Sequence, residues 1–309
     1  QHLYFVVDID IKGFFDNVNH GKLLKQMWAM GIRDKKLLTI ISCMLKAEVA
    51  GIGFPDKGTP QGGIISPLLS NIVLNELDWW IASQFERMPT KRQYSQQIAK
   101  NGTEIRGHVY SSLRKYTNLK ECFIVRYADD FKIFCRSKND ADKMFIATKM
   151  WLKERLGLEI SPEKSKVVNL KRSYSEFLGF KLKATPKGKQ PNGETRYVVQ
   201  SKLNDKSMKE IAEKLKSGIK EIQKPANDAE EYKAVMRYNS MIIGWHTYYR
   251  IATDVNLDLN KYAFLVHRAL KRRLKDRLKR TSDVPLSPFL KAKYGKSRQL
   301  RYVKKHPIL

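Results

Sequence analysis

The chain has 309 residues, 42% of them hydrophobic and 10% aromatic, which is enough apolar material for a real core and for two domains, and too much for a disordered chain. Its 59 Lys plus Arg against 31 Asp plus Glu leave a formal net charge of +28, the electrostatic footprint of a protein whose partner is a polyanion, nucleic acid first of all. No apolar run approaches the roughly 18 residues of a membrane span and no signal-peptide pattern is present, so no membrane role is expected.

The charge is uneven. From Ser201 onward there are 26 Lys plus Arg against 11 Asp plus Glu, so the C-terminal third is disproportionately basic. Cys43, Cys122 and Cys135 form no C-x-x-C pair and have no histidine cluster nearby; they read as core thiols of a reducing compartment, with neither zinc nor disulfides expected.

The sequence starts at Gln1 and enters an apolar strand within a few residues, which suggests an upstream segment. In "LYFVVDIDIKGFFD" the strand covers Leu3 to Ile9, and a helix follows from about His20, capped by Asn19 and stopped at Gly31. Asp8 and Asp10 share one face by the period of two, on a strand that should carry no charge there. "GTPQGGIISPLLSNIVLNELDWW" is a glycine loop feeding a helix. Ser66 and Pro67 read as its cap and first residue, and Leu68, Leu69, Ile72, Val73 and Leu77 form an apolar stripe. Gly58, Gly62 and Gly63, without Cβ atoms, suit a backbone that approaches a substrate closely. Residues 85–121 are polar, basic and weakly periodic, an exposed insertion by pattern.

"FIVRYADDFKIF" places Asp129 and Asp130 between two short runs of β-branched and aromatic residues, the pattern of a hairpin with charges at its tip. Asp is also a common turn residue, so this stretch alone decides nothing. A helix from about Asp140 to Leu156 stops at Gly157, and "LEISPEKSKVVNL" and "SEFLGFKLK" read as a turn and two strands. Thr185 to Thr195, rich in Pro, Gly and Lys, is a linker or hairpin tip. After it the period becomes helical: Met208, Ile211, Ala212, Leu215, Ile219 and Ile222 line one face, Ala229 to Tyr249 form a second helix and Leu257 to Leu278 a third. The third ends in "RALKRRLKDRLKR", whose cations Arg268, Lys271, Arg272 and Lys275 avoid the leucine positions and suit phosphate contact.

The acidic pairs carry the functional reading. Asp8/Asp10 and Asp129/Asp130 on strand segments, with a glycine loop between them in sequence, are what a two-metal phosphoryl-transfer site requires, with carboxylates holding two Mg²⁺ ions.

"DIKGFFD" at Asp10 to Asp16, "GTPQGGIISPLLSNIVLNELD" at Gly58 to Asp78 and "RYADD" at Arg126 to Asp130, in that order and followed by "LEISPEKSK" and "FLGF", resemble the signature of reverse transcriptases, of the group II intron branch in particular. "YNSMIIGWHTYYR", Tyr238 to Arg250, resembles the thumb helices of intron-encoded maturases. The resemblance covers roughly residues 3–280. It implies an α+β right-hand polymerase: a palm with an antiparallel sheet over 1–183, a linker or hairpin over 184–200, an all-α three-helix thumb over 201–280 and a basic extension over 281–309. It further implies that Asp10 and Asp129 ligate two Mg²⁺ ions, for which Mn²⁺ can substitute, with Asp130 assisting and Asp8 either supporting the ligands from behind or simply accommodated near the metals. Phe15 would meet the sugar of the incoming nucleotide, Gln61 and Gly62 would lie along the nascent base pair, and Lys164 would give a proton to pyrophosphate. Phe177 to Phe180 resemble the primer-grip turn.

The activity so implied is RNA-directed DNA polymerisation on an RNA template and a DNA primer with dNTPs. It comes with binding of group II intron RNA as a ribonucleoprotein and of target DNA, in a bacterial cytoplasm or an organelle. The rivals are an RNA-binding maturase without polymerase activity, against which the intact Asp10, Asp129 and Asp130 speak, and a domesticated enzyme of defence or CRISPR systems. The family's upstream fingers motifs, whose basic residues grip the triphosphate, lie outside these 309 residues, and without them RNA binding with poor polymerisation is expected.

Overall fold

The computed structural model describes residues 2–49, 53–60, 62–94 and 97–274, which fall into two compact units parting between Ser175 and Glu176. Gln61, Lys275 and the basic extension 281–309 lie outside the described residues. No described helix is long and apolar enough to cross a membrane.

The first unit is built on a four-stranded antiparallel sheet of β1 (Phe5–Ile9), β2 (Cys122–Tyr127), β3 (Asp130–Cys135) and β4 (Lys166–Asn169), in the order β2-β3-β1-β4. In chain order β1 is followed by α1 (Phe14–Asn17), α2 (His20–Ala29), α3 (Lys35–Leu45), α4 (Ser66–Gln84) and α5 (Gly107–Tyr116); α6 (Lys138–Trp151) follows β3. The period of two sorts the strands. Val7, Ile9, Phe131, Ile133, Cys122 and Cys135 turn one face into a continuous core with Leu23, Leu69, Leu77, Met144 and Leu152 of the helices. On the other face Asp8 stands opposite Lys132.

The α2 boundaries follow the sequence: Asn19 Oδ1 accepts from the Lys22 N–H at 2.9 Å, and Gly31 takes a φ of 99° just past the end. Ser66 differs from expectation. It opens α4, but its hydroxyl donates to the Pro60 carbonyl at 2.6 Å, so it ties the glycine loop instead of capping the helix. Leu68 of the expected stripe is exposed, while Leu69, Ile72, Val73 and Leu77 are buried. The final turn of α6 widens into a π-helical turn, Leu152–Leu156, and stops at Gly157 with φ 71°. Within 85–121 the structure holds more order than its pattern suggested: Phe85 and Leu113 are core, and buried Glu121 pairs with Arg114 at 2.6 Å and Arg136 at 3.4 Å. Burial alone would raise the Glu121 carboxyl, but the two arginines outweigh it and hold the group below its usual range. Cys122 and Cys135 face each other across β2 and β3 as free thiols; burial pushes Cys122 up to about 12 and Cys135 upward as well.

The second unit pairs β6 (Phe180–Lys189) with β7 (Thr195–Leu203) antiparallel and with β5 (Ser175–Phe177), whose first residue belongs to the first unit, so residues 184–200 are mostly a strand hairpin. Three helices follow, α7 (Asp205–Gln223), α8 (Asp228–Tyr249) and α9 (Val255–Arg273). All six predicted apolar positions of α7 are buried, in a core with Tyr238, Ile242, Val266, Leu270 and Leu274. Leu178 and Gly179 turn the chain between β5 and β6 at φ 50° and 80°, and the Tyr248 hydroxyl donates to the Leu178 carbonyl at 3.0 Å. A Cβ on Gly179 would stand 3.1 Å from the Ser207 and Tyr249 hydroxyl oxygens, which is why glycine occupies this corner.

Candidate active site

The site is best followed from the β2–β3 hairpin. Tyr127 pairs with Asp130, leaving Ala128 and Asp129 as a two-residue turn. Ala128 adopts φ 54°, a left-handed conformation that costs a non-glycine residue about 1–2 kcal/mol. Arg126 stands opposite Phe131, hence on the helix-covered face, where its guanidinium is fully engaged. Nε and Nη2 donate to the two Asp78 carboxylate oxygens at 2.8 and 2.6 Å, and Nη1 to Asn71 Oδ1 at 2.9 Å and to the Ala128 carbonyl at 2.8 Å.

β1 ends at Ile9, paired with Phe131; one step further along each strand stand Asp10 and Asp130. Asp10 has left the ladder. Its N–H donates to Ser165 Oγ at 3.1 Å and its carbonyl accepts from the Ser161 N–H at 2.8 Å, so the "SPEKS" turn fixes its backbone. The same turn brings exposed Lys164 Nζ to 3.6 Å from Asp10 Oδ2.

Asp8 behaves differently. Expected on the face shared with Asp10, it is buried, receives Lys132 Nζ at 2.9 Å, and accepts from Ser175 Oγ at 3.0 Å on both oxygens. It is a structural partner of the sheet, and the two carboxylates that alternation put on one face serve different neighbours.

Phe14 and Phe15 divide their roles: Phe14 is core, while Phe15 is half-buried with its ring 5.3 Å from that of Phe14. The glycine loop docks on this segment. The Thr59 N–H donates to the Phe15 carbonyl at 2.6 Å, the Gly58 N–H to Val18 O at 2.7 Å, and buried His20 donates from Nε2 to Gly58 O at 2.6 Å. Gly58 has φ 97°, and a Cβ there would stand 3.0–3.2 Å from the backbone of Phe15 and Asp16. The bare glycines were expected to admit a substrate; at Gly58 the space is filled by the chain's own backbone, and at Gly63 by the Ser66 hydroxyl, 2.9 Å from an added Cβ. Only Gly62 among the three, at φ 81°, has open space around it. Gly58→Ala is therefore expected to cost about 2–4 kcal/mol from the left-handed strain and the backbone clash together, read by urea denaturation; a loss under about 1 kcal/mol would show that the loop shifts freely.

Asp10, Asp129 and Asp130 offer only hard oxygen donors, the donor chemistry that suits Mg²⁺ or Mn²⁺. Among the described residues no three ligating side chains are already drawn together, and Asp10 faces Lys164 instead. In the second unit Arg268, Lys271 and Arg272 lie exposed on α9 and line an open hollow with Phe264 and His267. The residues missed by sequence reasoning are Arg126 and Asp78. Both stand inside quoted motifs, but no pattern announces a pair that far apart in sequence.

Residues 1–182, which contain all three motifs and the whole four-stranded sheet, match the family described as reverse transcriptase (RNA-dependent DNA polymerase). The chain belongs to that family. The resemblance carried by the motifs is borne out at the level of that family. Reverse transcriptases use divalent metal ions, consistent with the carboxylate donors. Among its relatives, the group II intron-encoded protein LtrA of Lactococcus lactis subsp. cremoris is 28% identical over 330 aligned positions, covering 92% of this chain and 54% of LtrA. A putative COX1/OXI3 intron 2 protein of Saccharomyces cerevisiae is 28% identical over 221 positions, covering 62% of this chain and 25% of that protein. The chain thus spans about half or less of the length of these relatives. A solved structure of telomerase from Candida albicans, in complex with a fragment of telomeric RNA, aligns with 89% of this chain and 40% of its own at 14% identity and a TM-score of 0.44.

Proposed function

We propose that this reverse transcriptase extends a DNA primer on an RNA template as part of a group II intron-encoded protein, and also binds the intron RNA to assist splicing and mobility. In this reading the first unit is the palm of a right-hand polymerase and α7, α8 and α9 are its thumb. The observation that carries it is the strand register, which sets Asp10 at the exit of β1 beside the start of β3, next to the Ala128–Asp129 turn.

Asp10, Asp129 and Asp130 would hold two Mg²⁺ ions, or Mn²⁺ in their place. The chemistry a bound metal pair supplies is acidification of the primer 3′-hydroxyl and neutralisation of the triphosphate and leaving pyrophosphate. Lys164, an ammonium beside Asp10, donates a proton to the departing pyrophosphate. Gly62, open on its outer side, and Gln61 next to it lie along the nascent base pair. Arg268, Lys271, Arg272 and Lys275 hold phosphates of the template and primer, and the Phe177–Phe180 turn positions the primer end. Cells in which such an RNA is spliced, bacterial or organellar, are its setting.

The half-buried Phe15 ring meets the sugar of the incoming nucleotide and excludes a 2′-hydroxyl. Phe15→Ala is expected to raise ribonucleotide relative to deoxyribonucleotide incorporation roughly tenfold or more, since a single steric contact discriminates on that scale. An unchanged rNTP/dNTP ratio in single-nucleotide addition would remove Phe15 from the site.

The deciding experiment is primer extension on an RNA template with dNTPs and Mg²⁺, with and without EDTA, alongside RNA affinity as a function of salt. Extension that EDTA abolishes and added Mg²⁺ restores supports the proposal. No extension, with affinity still falling steeply as salt rises, moves the chain to an RNA-binding maturase. RNA affinity independent of salt contradicts both.

A further inference from the structure

Arg126 spends all three guanidinium nitrogens on holding a turn. The bidentate pair with Asp78 and the bond to Asn71 lock its plane to α4, a helix whose Leu69, Val73, Leu77 and Ile81 are core. From that anchored position Nη1 reaches the Ala128 carbonyl at 2.8 Å. This carbonyl belongs to the peptide plane that leads directly into Asp129, and Ala128 is the residue held at φ 54°. A strained turn persists where its surroundings over-determine it, and here the Arg126 bond adds to the Tyr127–Asp130 pair that closes the hairpin.

We propose that Arg126 is a positioning residue: clamped to Asp78 and Asn71, it fixes the Ala128–Asp129 peptide plane and so aims the Asp129 carboxylate. The inference rests on the polymerase reading of Asp129 and adds a specific part to it. A lysine cannot replace the clamp, because a single ammonium cannot satisfy a carboxylate in two places and still hold a carbonyl in a fixed plane.

The test compares the unaltered chain with Arg126→Lys and with Asp78→Asn, which keeps the shape of the partner and weakens the bidentate pair. Mn²⁺ binding to the protein alone is followed by electron paramagnetic resonance, with melting temperature and the kcat and KM for dNTP in primer extension measured in parallel. In folded Arg126→Lys the Mn²⁺ affinity is expected to fall about tenfold and kcat about 10–100-fold, with KM within about threefold, the pattern for a residue that orients a ligand. Asp78→Asn is expected to fall the same way by a smaller factor, and it decides the matter if Arg126→Lys does not fold. Unchanged Mn²⁺ affinity in a folded variant overturns the clamp and leaves the polymerase reading standing. Mn²⁺ binding by the unaltered chain without extension overturns the polymerase reading, while the affinity ratio still judges the clamp. No Mn²⁺ binding by the unaltered chain overturns both.

Discussion

Asp129→Asn is expected to lower nucleotide addition about a thousandfold or more while leaving the melting temperature nearly unchanged, because under the proposed two-metal reading it removes a charge that would hold a metal, and no contact that holds the chain together. The argument is geometric. Asp129 is the second residue of a two-residue turn, half-buried, with the structural tasks around it assigned elsewhere: Arg126 ties the turn to α4, and Tyr127 and Asp130 close the ladder. An amide is isosteric with the carboxylate and remains a common turn residue, so the hairpin should form as before. Single-turnover extension compared with thermal unfolding reads both quantities. A variant that keeps a tenth or more of the activity would place the essential ligand elsewhere.

The second large effect is on stability. Lys132→Met is expected to cost about 3–5 kcal/mol, since it leaves the Asp8 carboxylate buried with only the Ser175 hydroxyl for company. Side-chain exposure is 6% for Lys132 and 11% for Asp8, so water cannot take over the lost role. Replacing both, as Asp8→Val with Lys132→Met, should recover most of the loss, because the desolvation cost of both charges disappears and Val6 and Val168 already line that region. The recovery is incomplete by about 1–3 kcal/mol if the Ser175 hydroxyl is left without an acceptor. Urea denaturation of the two singles and the double forms the cycle. A double variant no better than the Lys132→Met single would mean that the pair stabilises the sheet outright.

Asp8 shows where the sequence was readable and where it was not. Alternation correctly announced an acid on a buried strand, and the hairpin was legible from twelve residues, because both signals are local, although of the two aspartates expected at its tip only Asp129 lies in the turn and Asp130 opens β3. What Asp8 is for depends on Lys132, 124 residues away, and no local period reports a partner at that distance. Arg126 and Asp78 were hidden for the same reason, as was the reservation of Gly58 for the backbone of Phe15 and Asp16, which the loop meets only after folding. α3 escaped notice differently: Leu37, Ile40 and Met44 are exposed while Ile41 and Leu45 are buried, so apolar residues surround the helix and no narrow stripe marks it. In α7 the stripe is clean, and there every predicted core position was right. The site's motifs were legible as a group because their order along the chain is itself information, whereas each side chain's neighbours are not.

The facing thiols of β2 and β3 give the molecule a built-in clock. Cys43 lies open on α3, whereas Cys122 and Cys135 are sealed beneath the sheet and kept protonated. A thiol reagent should thus label one cysteine at once and the other two only when the strands part. The lag between the first label and the next two times the opening of the very hairpin that ends in Asp129, without a single engineered probe.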